Sequence, residues 1–489
     1  MRMRDALKLI YEKQREMHIL GGVISLLDWD QKTCMPRKGL EDRSIQISYL
    51  SKKLHDLLTS DELYRAVEFL DARKEDLSSI DRIVVERLKR DVEKARKIPS
   101  DFVERLSKLE AISYSSWVRA RERSRFDLFL PYLSKLIELK MEYCNYKNLG
   151  GHPYNNLIDD YEEGMRYERL KPCFDFLKQK LKGLLDKLEG DFDLKIGLDI
   201  RDQERMSEIF LRQVSMDRER FRIDTSEHPF TARISTHDVR ITTRYLKDKP
   251  LSSFFSTLHE VGHAIYELNL PKGRYRYTVI SDAPSLGIHE SQARFWENIV
   301  GRSRSFWKFF YPLVKKRIHG LGVEMEDIYR YVNQVRRSVV RVEADEVSYN
   351  LHIILRSEIE SEIFEQRIDV RELREVWNEK MEELLGVRPK SDREGVLQDM
   401  HWSTGDFGYF PSYTIGNIYS AQLMYAMERD MGSFHALVED GRFGDIKRWL
   451  YRKIHRFGRM FDAEELIRRG CGEGLNPERF IRYLEEKFV

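Results

Sequence analysis

Apolar residues recur at three- and four-residue steps along residues 1–20, 40–57, 60–97, 101–147 and 165–189, with charged residues between them. That period puts the apolar side chains on one face of a helix, so each block predicts one or more amphipathic helices. The same pattern runs through 303–317, 325–365, 370–386 and from 413 to the end, and the 13 prolines fall mostly between blocks. One stretch breaks it. Over 221–246, Val239, Ile241, Thr243 and Tyr245 alternate with Asp238, Arg240, Thr242 and Arg244, the two-residue period of a strand. A small sheet is predicted there. Two further helices follow, one opened by Pro250 and closed before Pro271 and Gly273, the other over 285–300 with Ser285 as its cap. No repeat or low-complexity linker divides the chain. The prediction is a mostly α fold: a large single helical body with a small β-sheet.

The helix after the sheet carries His259-Glu260-Val261-Gly262-His263. Histidines four apart lie one turn above each other, so both imidazoles can converge on one tetrahedral Zn²⁺. The glutamate beside the first is placed to act as a general base. Phe254, Phe255, Leu258, Ile265 and Tyr266 surround the pair with apolar side chains. Buried imidazoles need partners, and a metal is the simplest one. The sheet just before this helix has two readings: its edge hydrogen-bonds an extended peptide over the metal, or it packs the helix and nothing more.

Composition narrows the field. Hydrophobic residues make up 41% of the 489, enough for a sizeable core, and the 34% charged residues exceed the usual quarter. With 84 Lys+Arg against 82 Asp+Glu, the net charge of +2 gives no basic field for nucleic acid. Cys34, Cys144, Cys173 and Cys471 are too scattered for a zinc knuckle or a disulfide framework, which favours reduced thiols in the cytoplasm. The N-terminus interrupts its apolar residues with charge, unlike a signal peptide, and no stretch is apolar enough to span a membrane.

A catalytic zinc usually takes three protein ligands. Glu267 continues the histidine face but lies about 12 Å along the axis from His259, too far to share the ion. The 285–300 helix offers His289, Glu290 and Glu297. Spacing favours Glu290 over His289 by little, with Glu297 as a partner behind a ligand.

His259-Glu260-x-x-His263 followed by His289-Glu290-Ser291-Gln292 resembles the carboxypeptidase Taq family of metallocarboxypeptidases. So do Trp29-Asp30-Gln31-x-Thr33-x-Met35-Pro36, His228-Pro229-Phe230, Asp238-x-Arg240-x-Thr242, Arg341-x-x-Ala344-Asp345 and Gly395-x-x-Gln398-Asp399-x-His401-Trp402. Val261 stands where that family usually carries glycine, and Val340 where it carries isoleucine. The resemblance implies a saddle-like subunit with a deep groove, usually a homodimer. It also implies one zinc, or cobalt, held by His259, His263 and Glu290. On that plan the whole chain, 1–489, is one catalytic domain: 1–200 forms a helical lid or wall, 221–246 the sheet, 250–300 the metal-binding helices and 325–489 the other groove wall.

The implied reaction is removal of C-terminal residues from peptides, with broad specificity and Glu260 as base. A zinc oligopeptidase that cuts internally is the alternative. An oxyanion donor is sought at Tyr409 or Tyr413, with His401 close by. An exopeptidase also needs a cation for the free carboxylate. Arg341, read as lying in an apolar helix, is either that anchor or half of an ion pair with Glu343, Asp345 or a distant acid; the resemblance favours the anchor. His228, Asp238 and Arg240 are assigned to orienting ligands or substrate.

Overall fold

The computed structural model describes residues 1–318 and 321–489. The fold is 68% helical with 4% strand, a mostly α architecture. None of the described helices is long and apolar enough to cross a membrane.

Several predicted blocks divide where the sequence supplies a cap. The 60–97 block becomes Asp61–Asp71 and Ser79–Arg96, each opened by a serine (Ser60, Ser78) whose hydroxyl accepts a backbone N–H of the first turn. The 101–147 block becomes Ser100–Arg123 and Leu130–Lys147, separated by Ser124 in the left-handed region. The C-terminal block is a series of helices beginning with Pro411–Met431 and ending with Pro477–Phe488.

The largest departure is in 325–365, which is not one helix. Helices Met325–Val332 and Ser348–Phe364 flank an irregular segment, and Arg341 lies in a short 3₁₀ turn, Arg341–Glu343. Two side chains explain the break. The Asp345 carboxylate accepts the N–H groups of Val347 and Ser348 and the Ser348 hydroxyl, capping the second helix. Gln398 accepts the Arg341 N–H, diverting it from any helical partner.

The sheet has strands β1 (Phe221–Thr225), β2 (Thr231–Ser235) and β3 (Asp238–Thr243) in the order β1-β3-β2. β1 runs parallel to β3 with Ile223 opposite Ile241, and β2 is antiparallel with Thr231 opposite Ile241. Val239 and Ile241 are buried as their alternation requires, but β3 stops at Thr243, so Tyr245 lies outside it. The long N-terminal helix Met3–Thr33 crosses the β2 edge. A Cβ on Gly22 would meet the Ile234 carbonyl oxygen at 2.4 Å, so only glycine permits the approach.

Two apolar clusters fill the interior. One runs from Ala120 to Leu484; the other takes residues from Ala6 to Val92, joined by Ile280. Charge stitches the two blocks together. Arg87 and Arg90, on helix Ser79–Arg96, pair with Glu163 and Asp159 at 2.6 Å each. Arg459, from the far end of the chain, bridges Asp91 (2.6 Å) and Glu163 (2.9 Å). A cavity of about 740 Å³ opens beside this seam, lined by Gln14, His18, Asp91, Lys94, Arg233 and Glu267 among others.

Candidate active site

The helix Ser252–Glu267 carries both histidines, and helix Leu286–Arg294 brings Glu290 against them. Glycines set this packing. A Cβ on Gly262 would meet the Gln292 carbonyl oxygen at 2.5 Å, and one on Gly416, in helix Pro411–Met431, would meet the Glu290 Cγ at 2.6 Å. The Glu290 helix is thus gripped on two sides by neighbours that come closest where they carry no side chain.

One donor atom from each of His259, His263 and Glu290 lies within 4.8 Å of the other two. The Glu290 Oε2 is 3.7 Å from His259 Nε2 and 3.6 Å from His263 Nε2. Both gaps are too long for hydrogen bonds. They approach the ~3.4 Å that separates ligands sharing one tetrahedral ion with bonds near 2 Å. Two of the remaining donor atoms are turned to other work, while His263 Nδ1 is buried without a hydrogen-bond partner. His259 Nδ1 bonds Glu297 at 2.9 Å, and the other Glu290 oxygen accepts from Arg294 Nε at 2.6 Å. The donor set therefore fits a divalent cation, with Glu297 fixing the tautomer of one imidazole. Burial works against a proton on His259, but Glu290 and Glu297 outweigh it and raise its pKa to about 9; a cation would compete for that same negative field.

Glu290, not His289, closes this group. His289 lies tilted against the His263 ring at 4.4 Å and bonds Glu267 at 2.8 Å. Arg233 bridges Glu267 to His18 of the N-terminal helix. Glu260 is buried beside the histidines, and Thr231 donates its hydroxyl to the carboxylate at 2.6 Å. Burial lifts the Glu260 carboxyl above its ordinary range, with the His259 charge and the Thr231 hydroxyl opposing.

A second cluster gathers around Arg341, which is 7% exposed. Its Nε and Nη2 donate to Asp399 Oδ1 at 3.0 and 2.7 Å, and its Nη1 donates to the Tyr349 hydroxyl at 3.0 Å. Asp399 also pairs with the fully buried Arg356 at 2.6 Å. Of the ion-pair partners considered for Arg341, the distant acid is the one it takes. Two guanidinium ions share one carboxylate, while burial pushes the neighbouring His401 imidazole down to about 4 and leaves it neutral. The cluster carries one uncompensated positive charge. Tyr413 links it outward: its ring faces the Arg341 guanidinium at 5.2 Å, its hydroxyl lies 3.3 Å from His401 Nε2, and Tyr409 packs on it at 5.2 Å. Tyr349 lies between Arg341 and Arg294, which holds Glu290, so the two clusters adjoin.

The profile of the carboxypeptidase Taq (M32) metallopeptidases matches residues 9–488. The chain belongs to this family. Thermostable carboxypeptidase 1 of Pyrococcus furiosus is 39% identical over 99% of both chains, and carboxypeptidase 1 of Bacillus subtilis 38% identical over 95% of this chain and 94% of its own. The solved M32 carboxypeptidase of Deinococcus radiodurans superposes with a TM-score of 0.95 at 36% identity, covering 99% of each chain. As an M32 metallocarboxypeptidase, the protein is a hydrolase of peptides that uses a divalent metal.

Within this M32 chain, sequence reasoning passed over several contacts. Arg294 stands four residues after Glu290, a helical spacing that could have flagged it. Tyr349, between the Arg294 and Arg341 guanidinium groups, had no sequence signal, nor did Thr231. Asp238 and Arg240 pair with each other at 2.8 Å and Arg240 lies over Trp29, so they knit the N-terminal helix to the sheet. His228 is exposed.

Proposed function

We propose that the protein removes single C-terminal residues from peptides with broad side-chain tolerance, using zinc, or cobalt in its place, one ion per subunit, at His259, His263 and Glu290. The observation that carries the exopeptidase reading is the net positive charge buried around Arg341, Arg356 and Asp399. An uncompensated buried cation is expensive unless an anion arrives. The terminal carboxylate of a peptide is that anion, and Arg341, whose Nε and Nη2 hold Asp399, would meet it through Nη1 beside Tyr349.

A divalent cation bound there polarises the scissile carbonyl and acidifies water. Glu260, buried and oriented by Thr231, takes a proton from the attacking water and returns it to the departing amine. Tyr409 or Tyr413 donates a hydroxyl to the developing oxyanion, with His401 fixing the tyrosine pair. His228, Asp238 and Arg240 act on substrate indirectly, through the sheet that holds Thr231. The chain works as one catalytic domain, with its separately cored N-terminal helices as a wall of the groove. The resemblance supports a homodimer, and the four free cysteines suit a reducing cytoplasm. The name of the Pyrococcus relative supports thermostability.

The test compares a free-acid peptide with its C-amidated twin. Single-residue ladders from the free acid alone are expected, and Arg341→Lys should lower kcat/KM on it by roughly 30–1,000-fold. Equal cleavage of the amidated peptide would favour the internal-cutting alternative and remove Arg341 from its role.

A further inference from the structure

Glu360 lies far from the metal group in the chain and belongs to no motif read from the sequence, yet it is fully buried on helix Ser348–Phe364. Its carboxylate accepts three neutral donors: the Trp402 indole N–H at 2.7 Å, the Gly408 backbone N–H at 2.9 Å and the Tyr154 hydroxyl at 2.5 Å. None is a cation, so this carboxylate bears its burial without an ion pair, and its pKa is pushed up to about 7. A buried acid of this kind is costly to keep.

Its donors bracket one loop. Trp402 immediately follows His401, and Gly408 immediately precedes Tyr409. Between them the chain makes a 3₁₀ turn, His401–Thr404, and passes through Gly405 and Gly408 at φ of 73° and 86°. Gly408 is also pressed on Leu157, whose backbone carbon lies 2.5 Å from where a Cβ would sit. The third donor, Tyr154, comes from that same 154–158 segment, so one carboxylate ties both sides of the contact. The ring of Trp402 is stacked on Phe407 within the loop (interplanar angle 14°) and set edge-on against Trp377. Glu360 thus holds the loop at two points, just inside His401 and Tyr409, and Tyr161 adds a bond to Asp406 between them at 3.2 Å.

We propose that Glu360 is a positioning residue that fixes the 401–409 loop, holding the His401 ring and the Tyr409 hydroxyl at the reacting carbonyl without touching substrate. The proposal rests on the reading of Tyr409 as an oxyanion donor, and the experiment separates the two. Glu360→Gln keeps the volume but turns an NH₂ group towards one of the three donors. In the full-length, metal-loaded enzyme, kcat should fall roughly 10–100-fold with KM within about twofold. Amide exchange over 402–409 should quicken at least about tenfold, while 250–300 and the bound metal stay unchanged. Tyr154→Phe, which deletes one donor and leaves the acid, should move kcat and loop exchange the same way by a smaller factor. Unchanged 402–409 exchange in both variants, or wild-type kcat in both, would overturn the proposal. Tyr409→Phe tests the parent reading alone: full activity in that variant removes Tyr409 as the oxyanion donor, while loop exchange in Glu360→Gln still decides what Glu360 holds.

Discussion

At the scale of single residues, the site is built from side chains whose second atom is already spoken for. His259 gives Nδ1 to Glu297, Glu290 gives one oxygen to Arg294, and Glu260 takes the Thr231 hydroxyl, each fixing the orientation of the atom left over. Glu260 is not among the three converging donors, so its chemistry separates cleanly from metal binding. Glu260→Gln should keep full metal content by elemental analysis and lose roughly 10²–10⁴-fold in kcat; unchanged turnover would exclude it as the base. This layer was partly legible. Two histidines four apart and a nearby glutamate are a spacing argument, and spacing survives folding. The choice between His289 and Glu290 was not, because it depends on which way the second helix is rotated. Glu267 decides that in space, by taking the His289 ring.

At the scale of elements, glycine and one buried acid determine how the helices meet. Gly416 lets helix Pro411–Met431 lie directly against Glu290, and Gly416→Ala would drive a methyl into that side chain. A cost of about 1–3 kcal/mol in stability is expected, with metal affinity falling in parallel by titration. Retained affinity would show that Glu290 does not depend on this contact. Glu162 secures the start of the Glu290 helix. It is buried, accepts the Gly287 N–H and the Ser412 hydroxyl, and burial raises its pKa from 4.5 to about 7. Between those values the folded protein keeps a proton that the unfolded chain releases. Stability from this group is therefore fully present below about pH 4.5 and lost as pH rises through about 7. Glu162→Gln escapes that loss, so its stability relative to wild type should improve between pH 5 and pH 8 by roughly 1–3 kcal/mol in denaturant unfolding. A difference independent of pH would contradict this origin.

Helix periodicity found the elements and missed their breaks. The segment around Arg341 carries apolar residues at helical steps, yet Asp345 and Gln398 capture its backbone N–H groups. Gln398 lies 57 positions along the chain, so no local window contains the competing partner. The resemblance alone placed the motifs around Arg341 and Asp399 at one end of the groove; their ion pair is what makes them one device.

At the scale of the whole molecule, a bound cation would clasp two helices that share the apolar core and that Gly262 lets approach closely. Chelation should lower the melting temperature by a few degrees, about 2.7 kcal/mol being lost where metal stood at a hundred times its dissociation constant. Zinc should restore it, less fully at acid pH where protons compete for the imidazoles. A melting curve indifferent to chelator would mean that the ligands are held as firmly empty as filled.

The join between the N-terminal helices and the body has its own consequence. Around the apolar contact of Ile280 it is mortared with charge: Arg459 clamps Asp91 and Glu163 while Arg87 and Arg90 reach across from the other side. Concentrated electrolyte should loosen the more exposed pair of Arg90 first, and heat, by cheapening ion dehydration, should firm the buried ones. The cavity beside it, lined by Asp91 and Lys94 of helix Ser79–Arg96, should then change shape with salt while both greasy interiors stay intact.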